Sequence, residues 1–195
     1  MAKRDALRPQ RVVTIFGSSR VRPGDPEYEA ALRLGRLLAE RGWVLCNGGH
    51  DGTMEAAARG AKEAGGKTIG VSFSLYRPES PNAWLDQEIV AESLFTRLER
   101  LATMGEAYIV LHGGIGTLLE LCLVWNLVQS PEFAYKPVIV VGESWATIVD
   151  VLRAHLSMYP WEASSLTVVE DVDQAVDRLA AHFSSAEAKP GVSGR

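Results

Sequence analysis

Residues Ala107–Glu120 read AYIVLHGGIGTLLE. The first five form a continuous apolar run, the kind buried on both faces of a parallel sheet. His112 ends the run and Gly113-Gly114 breaks it. Helical spacing takes over from about Gly116 to Val128. A strand that stops at glycines and restarts as a helix is the βα turn of a doubly wound α/β sheet, whose ligands bind outside the carboxyl ends of the strands.

The same punctuation recurs upstream. RVVTIF (Arg11–Phe16) ends at Gly17-Ser18-Ser19, ahead of a helix over Pro26–Arg41. Trp43–Cys46 ends at Asn47-Gly48-Gly49-His50-Asp51-Gly52-Thr53-Met54, ahead of a helix over Thr53–Ala64. Further strands are expected at Lys67–Val71, Glu88–Ala91, Pro137–Val141 and Leu166–Val169, with helices at Leu94–Met104, Trp145–His155 and Val172–His182. The alternation implies a Rossmann-like open parallel sheet with helices on both faces, a three-layer α/β/α domain. It is expected over residues 11–183, between a disordered basic tail (1–10) and a polar tail (184–195). Ser72–Asp86 has two prolines and no period, and is expected to be a loop long enough for function.

The bulk numbers bound the partners. The chain has 195 residues, 47% hydrophobic and 23% charged, with a net charge of −4. An acidic balance argues against a nucleic-acid polymer. With no apolar run of about 18 residues, no transmembrane helix is expected; with no signal-peptide pattern, the expected location is cytoplasmic. Cys46 and Cys122 stand apart in apolar contexts and are expected to be buried thiols. No His, Cys or carboxylate group has metal-ligand spacing, so no metal is expected.

Glycine-rich turns that open helices let a phosphate approach the backbone, where unpaired amides and the helix dipole meet it. The candidate phosphate and nucleotide contacts are Gly17, Ser18, Ser19, Gly48, Gly49, Gly52, Thr53, Met54, His112, Gly113, Gly114, Ile115, Gly116 and Thr117. The turns do not suit a dinucleotide: Leu119 stands where GxGxxG needs its third glycine. No glycine-lysine-Ser/Thr run makes a P-loop. Glu120, in an otherwise apolar helix, is a catalytic carboxylate or a partner of the helix dipole. Arg97 and Arg100, one turn apart, clamp a phosphate or form a solvated face with Glu99. His112 reads as a hydrogen-bonded structural histidine before a general base. His50 and Asp51 touch a ribose or face solvent.

Arg97 followed by His112-Gly113-Gly114-Ile115-Gly116-Thr117-Leu118-Leu119-Glu120 resembles the signature of the LOG (Lonely Guy) family, an arginine followed by PGGxGTxxE. Phe16-Gly17-Ser18-Ser19 is similar to the family's FCGSS turn, and Gly48-Gly49…Gly52-Thr53-Met54 to its GGGxxGLMG turn. Lys67–Val71 and Lys136-Pro137 extend the likeness over most of the chain. The resemblance implies a Rossmann-like dimer, or a higher homo-oligomer, that binds AMP or a similar phosphorylated small molecule. It implies a phosphoribohydrolase that needs no cofactor and cuts a nucleoside monophosphate into base and ribose 5-phosphate. Arg97 and Glu120 would be its catalytic pair, with Arg100 as a further anchor. The superfamily was long misread as lysine decarboxylases, but no lysine here has a pyridoxal-phosphate context. It also contains molybdenum-cofactor carriers, which bind a phosphorylated pterin without hydrolysing it. Departures from the LOG pattern are His112 for proline, Leu119 for glutamate, Leu98 for lysine and Leu123 for an acidic residue.

Overall fold

A computed structural model describes residues 10–73, 81–133 and 135–188. Seven parallel strands lie in the order β4-β3-β2-β1-β5-β6-β7. They are β1 (Val12–Phe16), β2 (Val44–Asn47), β3 (Thr68–Phe73), β4 (Gln87–Ala91), β5 (Ala107–Val110), β6 (Val138–Val141) and β7 (Leu166–Val169). The strand order reverses between β1 and β5, which pair from Val13↔Ala107 to Phe16↔Val110. Chains leaving these two strands diverge to opposite faces of the sheet, and a crevice opens above their carboxyl ends. The expected Rossmann-like α/β architecture is borne out.

Helices α1 (Pro26–Glu40), α2 (Thr53–Glu63) and α7 (Val172–Ala188) cover one face. Helices α3 (Leu94–Met104), α4 (Ile115–Leu127) and α5 (Glu143–His155) cover the other. The strand side chains alternate between them: Ala107 and Ile109 pack with the first set, Tyr108 and Val110 with the second. Helices α1 and α2 cross at close range because glycines face backbone there. A Cβ on Gly35 would lie 1.9 Å from the Ala57 carbonyl oxygen, and one on Gly60 would lie 1.9 Å from that of Leu32.

Several boundaries differ from expectation. β3 runs on through Ser72 and Phe73, which pair with Val90 and Ala91, so the expected loop begins later. Residues 74–80 of that loop, and residues 1–9 of the basic tail, lie outside the described residues. Helix α7 continues to Ala188 rather than ending at His182. Phe183 is buried, with its ring 5.0 Å from Trp43, and this contact anchors the helix past the point where the apolar pattern fades. A one-turn helix, α6 (Pro160–Ala163), was not anticipated; four residues are too few to show a period. Cys46 is buried as expected, but Cys122 is exposed. Helix α4 is apolar on nearly every side, so its pattern does not say which side faces the core.

Candidate functional site

The three glycine turns meet over the β1–β5 crevice and are bonded to one another. The Ser18 amide donates to the His112 carbonyl (3.1 Å), and the Thr53 amide donates to the Ser18 carbonyl (2.8 Å). The β1 turn is thereby tied to the turns after β5 and β2. A cavity of about 1050 Å³ opens above them.

The turn between β5 and α4 forms one wall. His112, Gly113, Gly114, Ile115, Gly116 and Thr117 all line the cavity. The first helical bond of α4 runs from the Leu118 amide to the Gly114 carbonyl (3.0 Å). The amides of Ile115, Gly116 and Thr117 precede it and have no partner within the helix. A Cβ on Gly114 or Gly116 would meet nothing within 4 Å, so these glycines leave open space above the amides. Gly113 differs: a Cβ there would come 2.1 Å from Thr117 Oγ1, so this glycine lets the threonine hydroxyl approach the turn. Unpaired amides, a hydroxyl and the positive end of a helix dipole suit an anion.

Arg97 and Glu120 stand on facing elements, α3 and α4, and both line the cavity. Arg97 Nη1 lies 3.2 Å from Glu120 Oε1, with the side chains 9% and 11% exposed. Arg97 Nε donates to the Val71 carbonyl (2.9 Å). Glu120 is the sixth residue of α4, and no acidic residue occupies the helix's first turn. Its partner is therefore Arg97 rather than the helix dipole. Burial pushes the Glu120 carboxyl up from 4.5 to about 7, and the Arg97 charge offsets only part of that rise. Desolvation outweighs the ion pair, leaving a carboxyl that titrates near neutrality.

The turn after β2 acts largely from beneath. His50, Asp51 and Met54 line the cavity. Gly48, Gly49, Gly52 and Thr53 lie outside the lining and shape what surrounds it. A Cβ on Gly48 would stand 1.9 Å from Arg97 Nη2 and 2.7 Å from Met54 Sδ, so this glycine makes room for the arginine. Gly52 holds φ at +67°, and a Cβ there would strike the Ser18 carbonyl at 2.5 Å. Asn47, fully buried, secures the turn: its Oδ1 accepts from the Gly49 amide (2.8 Å) and its Nδ2 donates to the Met54 carbonyl (2.9 Å). Part of the long loop supports it too, since the Asn82 amide donates to the Gly49 carbonyl (3.1 Å).

Gly17, Ser18 and Ser19 line the cavity as expected. Thr53 packs against Gly17, where a Cβ would meet the threonine methyl at 2.5 Å. Arg100 is exposed and outside the lining. The buried stripe of α3 is Arg97, Leu98, Leu101 and Ala102, and Arg100 falls beyond it, so the two-arginine clamp does not form. His112 also departs from expectation. Its side chain is exposed in the cavity, and no hydrogen bond to it is found among the described residues. Sequence reasoning missed Arg20, Val21, Arg22, Asp25 and Glu27, which line the cavity from the stretch between Ser19 and α1. Arg22 braces this stretch by donating from Nη1 to the carbonyls of Ser19 (2.9 Å) and Val21 (3.0 Å). The available signal was length: the chain from Phe16 to Pro26 is longer than a tight βα turn needs.

The profile of the SLOG cluster4 family matches residues 10–175. The chain belongs to that family. Its LOG resemblance is borne out by sequence relatives. The cytokinin riboside 5′-monophosphate phosphoribohydrolase of Mycobacterium tuberculosis is 34% identical over 158 residues, covering 76% of this chain and 82% of its own. The enzyme of the same name from Mycobacterium marinum is 33% identical, covering 81% and 88%. Among solved structures, the molybdenum cofactor binding protein of Rippkaea orientalis superposes with a TM-score of 0.73 at 23% identity, over 91% of this chain and 99% of its own. At that identity the likeness is one of fold. SLOG cluster4 membership and the fold likeness agree with the Rossmann-like parallel sheet. Among the described residues no helix is long and apolar enough to cross a membrane, and no cluster suited to a metal ion occurs.

Proposed function

We propose that this protein is a nucleoside 5′-monophosphate phosphoribohydrolase that releases ribose 5-phosphate from AMP-like nucleotides. The observation that carries this reading is the buried Arg97–Glu120 pair set beside the open amides of α4. The turn from Gly113 to Thr117 cradles the phosphate. The ribose then lies toward Glu120. As the base departs, positive charge builds on the sugar, and an ionised carboxylate in a water-poor site stabilises it and orients the attacking water. Arg97 is a positioning residue: its bonds to Val71 and Glu120 fix the carboxylate and hold down its proton affinity. No cofactor enters this chemistry.

The test is incubation with AMP and related monophosphates while ribose 5-phosphate is followed, for wild type and Glu120→Ala. Turnover by wild type, reduced about 10²–10³-fold in the variant, supports the reading. Wild type that binds AMP and releases nothing overturns it. A second reading, a carrier of a mononucleotide or molybdopterin-type ligand, is favoured by the fold likeness to molybdenum cofactor carriers and by Leu98 and Leu119 in place of charged residues. Saturable molybdopterin binding without AMP turnover supports that reading instead.

The reading includes a homodimer. Ile115 and Phe95 are each 83% exposed and Leu119 is 45% exposed, large apolar side chains on α4 and α3. A helix apolar all round suits burial on every side, which a second copy supplies. The mass in solution of wild type and of Phe95→Glu tests it: a dimer that the variant splits is the expected result.

A further inference from the structure

The geometry points to His112 as the acid that protonates the departing base. This inference rests on the phosphoribohydrolase reading and adds a residue to it. Cleavage of an N-glycosidic bond needs two services at once: negative charge near the sugar and a proton for the base. Glu120 supplies the first only when ionised, so the proton must come from another group.

The position of His112 suits that task. The β1–β5 ladder continues past the strands: the Leu111 amide donates to the Phe16 carbonyl (2.8 Å) and the Ser18 amide to the His112 carbonyl (3.1 Å). Trp145 Nε1 donates to the Leu111 carbonyl (2.8 Å), so the backbone on either side of His112 is held. Alternation along this ladder sends Tyr108 and Val110 toward α3, α4 and α5. His112 follows in the same series, on the face that carries Arg97 and Glu120. Its ring is exposed in the cavity and no protein group occupies its nitrogens among the described residues.

Other groups in the cavity serve less well. Arginines such as Arg20 and Arg22 do not give up a proton near neutral pH. The Asp25 carboxylate is engaged, its Oδ2 accepting from the Arg22 amide (2.7 Å). The Nε2 of His50 is shut away from solvent in its turn. An imidazole is the side chain that can both hold and release a proton under these conditions.

The C1′–N bond breaks and its electron pair goes to the base. A ring nitrogen of the base takes a proton from the His112 imidazolium. Water adds to C1′ and its proton goes to the Glu120 carboxylate. Exchange with solvent then returns Glu120 to its anion and His112 to its cation.

The experiment compares two substrates in wild type, His112→Ala and His112→Gln: AMP, and p-nitrophenyl ribofuranoside 5-phosphate, whose leaving group departs as a stable anion and needs no proton. Both variants are expected to lose about 10²–10³-fold in kcat/KM on AMP. On the aryl substrate the loss is expected to be at least tenfold smaller. Equal losses on both substrates, or no loss on AMP, overturn the role of His112. Wild type that releases ribose 5-phosphate from neither substrate overturns the underlying reading, and with it the inference. Circular dichroism of the variants separates loss of acid from loss of fold.

Discussion

The guanidinium of Arg97 and the carboxyl of Glu120 meet at 3.2 Å, one from α3 and one from α4, and burial still lifts the carboxyl to about 7. A carboxyl so placed changes charge within the physiological range, and the consequences are measurable.

The ascending limb of the pH profile is expected at about 7, because Glu120 must be ionised to act; the descending limb belongs to the acid that protonates the departing base. The kcat/KM profile reports the free enzyme and is the measurement that checks this. In Arg97→Met the offsetting positive charge is gone, so the inflection moves upward and activity at pH 7 falls by at least about tenfold. A profile unmoved by the substitution would deny Arg97 its role in tuning the carboxyl.

Stability carries the opposite sign. Below the ordinary carboxylate value of 4.5, Glu120 is protonated in both the folded and the unfolded chain. Between 4.5 and about 7 the unfolded chain releases the proton while the folded one keeps it. Folding is therefore penalised progressively as pH rises through that window. Thermal melts of wild type and Glu120→Gln at pH 4.5, 6 and 8 check it: wild type loses ground to the variant as pH increases.

Glycine substitutions are expected to divide into two classes. Gly114→Ala and Gly116→Ala add a methyl where nothing lies within 4 Å, so Tm stays within about 1 °C. That methyl enters the space proposed for phosphate, and AMP binding measured by calorimetry weakens by at least about tenfold, roughly 1.4 kcal/mol. Gly48→Ala instead drives a methyl into Arg97 Nη2, which costs about 1–3 kcal/mol in overpacking and lowers turnover by moving the arginine. Equal effects on melting for the two classes would contradict the division.

Gly60→Ala probes the scaffold alone. Its methyl would meet the Leu32 carbonyl at 1.9 Å, and α1 must shift away from α2. A loss of about 3 kcal/mol in denaturant unfolding is expected, with AMP affinity per folded molecule preserved.

Much of the architecture was legible in the chain. Runs such as Tyr108–Leu111 and Val138–Val141, bracketed by glycines and helical spacing, announce buried parallel strands. The pairing of Arg97 with Glu120 was not legible in spacing. The two residues are separated by a strand and a turn, and only the resemblance to a family joined them. The difference between Arg97 and Arg100 was also hidden, because which side of α3 is buried depends on where that helix lies against the sheet.

The sequence by itself determined the alternation of strands and helices and the three glycine turns, because periodicity and backbone freedom are local properties of the chain. Tertiary structure alone decided what each glycine is for: Gly114 and Gly116 border open space, while Gly48 yields its place to an arginine that lies 49 residues away in the chain (48 to 97). The physical reason is that steric room, desolvation and charge pairing depend on neighbours in space, and the doubly wound sheet brings those neighbours together from turns far apart in the chain.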